Sequence, residues 1–82
     1  MRATIEDFKT GWFGIGLGIK KSELDLLIQR LETLKNNPDL HFHLGSTYSG
    51  SGGVGDIEVY VEPEGSEDNL TMTGFPISPD PK

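Results

Sequence analysis

The chain has 82 residues and no cysteine, which limits it to one small domain without disulfide bonds or thiolate metal ligands. Its net charge is −6, and the acidity lies in the second half: residues 1–35 hold six basic and five acidic side chains (+1), and residues 36–82 hold one basic and eight acidic (−7). This surface repels phosphate backbones, so we expect no nucleic-acid partner, whereas a basic protein would be attracted.

The composition also bounds the cellular setting. No apolar run reaches the roughly 20 residues that span a bilayer, and the N-terminal stretch MRATIEDFKT lacks the pattern of a secretory signal. We therefore expect a cytoplasmic protein that does not bind membranes, organised as a single domain over residues 1–82.

Two short strands are predicted at the N-terminus, over residues 3–9 and 12–19, with a turn at Thr10-Gly11. The second strand alternates large apolar residues with glycine, so that one of its faces is almost bare. The glycines lack the spacing of a phosphate-binding loop. They favour the close approach of another backbone or of a large side chain.

An amphipathic helix over residues 21–37 is the strongest local signal in the chain. Its apolar residues recur at helical spacing and form one stripe. The stripe consists of Leu24, Leu27, Ile28, Leu31 and Leu34. Leu26 is outside it. Ser22 is the predicted N-cap, with Asp25 as its capping-box partner, and Pro38 follows the predicted end of the helix.

Three more strands are predicted after the helix, over residues 40–48, 56–62 and 70–75. A flexible Gly/Ser loop at residues 49–55 joins the first two, and the Pro-rich C-terminal tail at residues 76–82 cannot continue a β-ladder because proline lacks the amide donor. The expected fold class is α+β in the order β-β-α-β-β-β. A four- to five-stranded, mainly antiparallel sheet would pack on the one amphipathic helix.

One face of this predicted sheet collects aromatic, imidazole and carboxylate side chains. The candidate partner-binding residues are Trp12, His41, His43, Tyr48, Asp56, Glu58, Tyr60 and Glu62. Aromatic anchors among charges are typical of protein interfaces, and the acidic sign predicts a basic partner. An ordinary solvated sheet face has a similar composition, and this alternative stays open.

His41 and His43 are also candidate metal ligands, because residues two apart on a strand project to the same side. Asp56 or Glu58 could complete a site, yet the sequence does not specify a full ligand set. Surface imidazoles hydrogen-bonded to carboxylates are the favoured interpretation. The chain also lacks a nucleophile elbow. We therefore expect no enzyme activity, no cofactor and no bound metal.

From the helix through the fourth strand, the chain resembles a known protein family. The amphipathic helix, the HFHL element (His41 to Leu44) and the glycine-rich connection into an acidic strand resemble small immunity proteins of bacterial polymorphic toxin systems. In particular, they are similar to the α+β immunity family numbered thirty-two. The resemblance implies an intracellular antitoxin that binds and blocks a cognate toxin domain without catalysis. Position by position, only His41, His43 and Leu44 match the pattern of that family.

Two other functions remain as alternatives. The first is a self-associating module that forms a homodimer through an edge strand. The second is a small metal-binding enzyme that uses His41 and His43.

Overall fold

A computed structural model describes residues 1–72 of the chain. The order of elements is β-β-α-β-β, which confirms the predicted α+β class. The elements are β1 (Arg2–Asp7), β2 (Phe13–Gly18), α1 (Lys21–Asn36), β3 (His41–Gly45) and β4 (Asp56–Tyr60). No helix among the described residues is long and apolar enough to cross a membrane.

The predicted single sheet is wrong. Within residues 1–72, β1 pairs with β2 and β3 pairs with β4, both antiparallel, and the two hairpins form separate two-stranded sheets. The 16-residue helix between them is about 24 Å long. Each hairpin fixes its register locally, whereas joining the hairpins needs a long-range edge pairing that period-two alternation does not specify.

The predicted fifth strand is not formed where the structure describes it. Residues 70–72 have no regular secondary structure, and both Leu70 and Met72 are exposed. The remainder of that prediction, residues 73–75, and the Pro-rich tail at residues 76–82 lie outside the described residues.

The glycine face of β2 accommodates a large side chain, as predicted. The chain turns back between Phe8 and Trp12, where the Phe8 amide donates to the Trp12 carbonyl (3.1 Å), with Gly11 at φ 95°. The Phe8 ring then lies against Gly14, because a Cβ at Gly14 would be 2.6 Å from Phe8 Cζ. A larger residue at this position would displace the ring.

The first turn of α1 is closed by Glu23, so the prediction of Ser22 as N-cap is wrong. Helix α1 begins at Lys21, and Glu23 is therefore its third residue, where a carboxylate can reach back to the N-cap amide. Glu23 Oε1 accepts from the Lys20 amide (3.0 Å) and lies 2.8 Å from the Met1 ammonium. The ammonium and the amide together lower the pKa of Glu23.

The core of the described chain is small. Leu34, on α1, is 5% exposed and is the one buried apolar residue of residues 1–72. Elsewhere, one side of β3–β4 and one further helix residue are half-buried. These half-buried residues are Leu27, Phe42, Leu44, Ile57 and Val59.

The predicted apolar layer beneath the helix is therefore only partly formed. Phe13 and Ile15 of β2 remain exposed, and so do Leu24, Ile28 and Leu31 of the helical stripe. Among the described residues no β-ladder joins β1–β2 to β3–β4, so Phe13 and Ile15 are not held against the helix by a continuous sheet.

Candidate partner-binding face

The β3–β4 hairpin presents one polar and one apolar face, as its period-two pattern predicts. In the antiparallel register, His41 is opposite Tyr60 and His43 is opposite Glu58, while Asp56 is opposite Gly45. These pairs project to the same side, and all of their side chains are exposed. We call this surface the acidic face, and it consists of His41, His43, Asp56, Glu58 and Tyr60.

An imidazole and a carboxylate are paired on the acidic face. His43 Nδ1 lies 2.9 Å from Asp56 Oδ2 and 3.1 Å from Oδ1, which confirms for this residue the predicted imidazole–carboxylate hydrogen bond. The His41 ring meets the His43 ring edge-on, with centroids 5.0 Å apart. Asp56 thus orients His43, and His43 in turn supports His41. No group of three or more metal-ligating side chains comes together within residues 1–72.

Tyr60 lies among carboxylates. Glu62 follows β4 and is exposed, and Glu58 lies two residues before Tyr60 on the same side of the strand. Interaction with the Glu62 carboxylate, together with the negative charge of Glu58, raises the pKa of Tyr60, because it favours the neutral phenol over the phenolate. The carboxylates of Glu58 and Glu62 thus place negative charge near the exposed end of the ring.

The titration of Tyr60 offers a test of this arrangement. The chain has two tyrosines, so a Tyr48→Phe background leaves Tyr60 as the only one. In that background, Glu62→Gln should lower the pKa of Tyr60, because it removes both the carboxylate acceptor and its charge. Absorbance of the phenolate during a pH titration measures the shift. Glu64→Gln is the matched control, and a pKa that responds equally to both substitutions would contradict the assigned contact.

Three of the eight predicted site residues lie outside the acidic face. Glu62 follows the end of β4, and the other two are further away. Trp12 is in the connection between β1 and β2, on the other hairpin, and is 76% exposed. Tyr48 is in the connection between β3 and β4, where its ring lies against Gly55. The eight candidate residues therefore do not form one sheet surface, and the prediction that placed Trp12 on the same sheet as His41 is wrong.

No structural role was predicted for Ser46, which closes the β3–β4 loop. Its amide donates to the Gly55 carbonyl (2.9 Å), and its Oγ accepts from the Tyr48 amide (2.8 Å). A serine hydroxyl that accepts from the amide two residues later is a recognised turn pattern. A serine at the start of the loop was therefore the sequence signal for this role. Ser46 sets where the long loop leaves the hairpin.

Neither a family model, nor a curated protein, nor a solved structure matches this chain. The resemblance to the immunity family carried by the helix and His41 to Leu44 therefore stays a prediction. The geometry and charge of the acidic face are the features of the described chain that bear on function.

Proposed function

We propose that the protein is an immunity protein that neutralises a cognate bacterial toxin in the cytoplasm. It would do so by direct binding through the acidic face, with no catalysis and no cofactor. The observation that supports this most is the accessibility of that face: Glu58 and Asp56 are exposed, and Tyr60 is 54% exposed.

The charge around the acidic face favours a basic protein as the partner. Residues 36–72 contain seven acidic side chains and no Lys or Arg. This part of the chain therefore has no lysine or arginine of its own to neutralise the acidic face. Two of these carboxylates, Glu58 and Glu62, are two residues either side of Tyr60 in the chain. A concentrated negative patch speeds encounter with a positive surface and aligns it, which suits the occlusion of a basic cleft in a nuclease or nucleotide-consuming enzyme.

The side chains on the acidic face also suit a protein contact. Tyr60 and the two histidines offer flat rings with polar edges, and such residues provide contact area at low entropic cost. His43 is held by Asp56, so part of the surface is ordered before binding. A preformed acidic and aromatic surface fits a protein ligand better than a small molecule, which prefers a deep apolar pocket.

The proposal is tested with the product of the gene next to the one that encodes this chain. The two proteins should form a complex, and the activity of the toxin should fall linearly with added chain and vanish at a fixed stoichiometry. Loss of toxin activity at a small fraction of that stoichiometry would indicate catalysis and contradict the proposal. Absence of a complex at low salt would also contradict it.

A further inference from the structure

The β1–β2 hairpin leaves the turn end of its apolar face open to water. At the other end of the same face, Leu17 lines a cavity together with Leu44 and Ile57 of the second hairpin. In the observed register, Ile5 is opposite Ile15, and Phe13 is on the same face. Ile15 is 73% exposed, and the other two side chains are more than half exposed. We call Ile5, Phe13 and Ile15 the hairpin patch. Alternation of this kind is typical of a strand face that is buried. The hairpin patch has this pattern, yet its side chains are exposed.

Helix α1 is covered along one side of its stripe only. Leu34 is buried and Leu27 is half-buried, and at 100° per residue these two lie on the same side of the stripe. Leu24, Ile28 and Leu31 lie on the other side and are exposed. We call these three residues the helix patch. The sequence therefore encodes a wider apolar stripe than the described chain covers.

A chain of this size needs to bury these patches. Isolated apolar side chains on a surface need no explanation, but six large ones on two continuous faces indicate a contact site. With one buried apolar residue in residues 1–72 and no disulfide, the isolated chain has little to offset its conformational entropy. Association is a general way for so small a domain to complete its core.

The charge distribution indicates what covers the patches. Both belong to residues 1–35, whose balance is +1, so two copies can approach there with little repulsion. The acidic half would repel its own copy and attract a basic toxin instead. The near-neutral apolar half is thus suited to self-association, while the acidic half is suited to the toxin.

The unpaired backbone of the hairpins supports the same conclusion. Each strand of a two-stranded sheet has one edge without a ladder partner, and among residues 1–72 no third strand pairs with either hairpin. Such edges readily pair with another chain. We propose that the hairpin patch and the helix patch are covered by a second copy of this chain, in a two-fold symmetric dimer that leaves the acidic face accessible.

This inference does not depend on the proposed function, and its main test needs no toxin, which is added only to exclude it as the occupant of the patches. Sedimentation over a wide range of protein concentrations should give twice the chain mass of 9.0 kDa. Leu31→Glu should dissociate the dimer and weaken the fold, because it places a charge inside the proposed interface. The matched control is Leu26→Glu, outside the stripe on the same helix, which should stay dimeric. Leu26 is 50% exposed in the isolated chain and Leu31 is 47% exposed, so both substitutions would be tolerated alike in a monomer.

Thiol labelling covers the case in which the Leu31→Glu variant does not fold. The chain has no cysteine, so Leu31→Cys and Leu26→Cys each introduce one unique thiol. The thiol at position 31 should react at least about tenfold more slowly than that at position 26, and dilution that dissociates the dimer should abolish the difference.

Three results would overturn the inference. The first is equal labelling rates at the two positions in the concentrated protein. The second is protection of position 31 in a 9.0 kDa monomer, which would mean that the chain's own residues cover the helix patch. The third is protection that appears only after the toxin is added, which would assign the patch to the toxin.

Discussion

Leu34→Ala is expected to lower the free energy of unfolding by about 2–4 kcal/mol, because it removes a buried side chain and leaves a cavity. Leu34 is the one buried apolar residue of the described chain, so few other contacts can compensate. Small domains have only about 5 kcal/mol of stability or somewhat more, so the variant should keep only about 1–3 kcal/mol and unfold at a much lower urea concentration. Urea denaturation followed by far-ultraviolet circular dichroism, at one fixed protein concentration, measures the loss.

Leu26→Ala is the matched control for this substitution. It makes the same chemical change on the same helix, so the difference in helix propensity is the same, but Leu26 is exposed and lies outside the stripe. Its effect should be no more than about 0.5 kcal/mol. A similar loss for both variants would mean that Leu34 is not the centre of the core.

Reversing two charges near Tyr60 should have the largest effect on binding. In the double variant Glu58→Lys and Glu62→Lys, affinity for the toxin should fall roughly ten- to hundredfold, because attraction to a basic surface becomes repulsion. The remaining binding should also be less sensitive to salt, since fewer attractive charge pairs are left to screen. Calorimetric titration at low and at moderate ionic strength measures both effects.

The control reverses two charges elsewhere in the chain. Glu6→Lys with Glu32→Lys changes the net charge by the same amount, and both residues are exposed in the first half of the sequence. Binding should change little in this variant. If the two double variants lose affinity equally, the net charge of the molecule governs binding, and the acidic face has no special role.

The elements with strong local signals could be predicted from the sequence. The helix spans Lys21–Asn36, within one residue of the prediction, because its apolar spacing and the following Pro38 act over a few residues. Strand β4 was predictable in the same way, since its apolar and acidic residues alternate strictly from Asp56. That alternation also predicted which residues share the acidic face.

The assembly of these elements could not be predicted. A hydrophobic pattern marks the face that a strand would bury, but it does not identify the element that covers that face. For this reason Ile15 could be assigned to an apolar layer, whereas in the described chain it is exposed. Trp12 was assigned to the wrong surface for the same reason, because its position depends on whether the two hairpins join.

The prediction of Ser22 as the N-cap of the helix was wrong for a different physical reason. Serine is a strong N-cap residue, but Glu23 can bind the Lys20 amide and the Met1 ammonium at the same time. The ammonium is contributed by the first residue of the chain, and a sequence window around the helix does not include it. Such a contact becomes visible only when the chain is folded.

The most direct test of the central claim is to map the surface that binds the toxin by nuclear magnetic resonance. Amide signals of the isotope-labelled chain are followed as the unlabelled product of the neighbouring gene is added. The shifts should be concentrated in residues 41–45 and 56–62, and residues 2–7 and 13–18 should change little. Shifts concentrated in β1 and β2, or no shifts at all, would contradict binding through the acidic face.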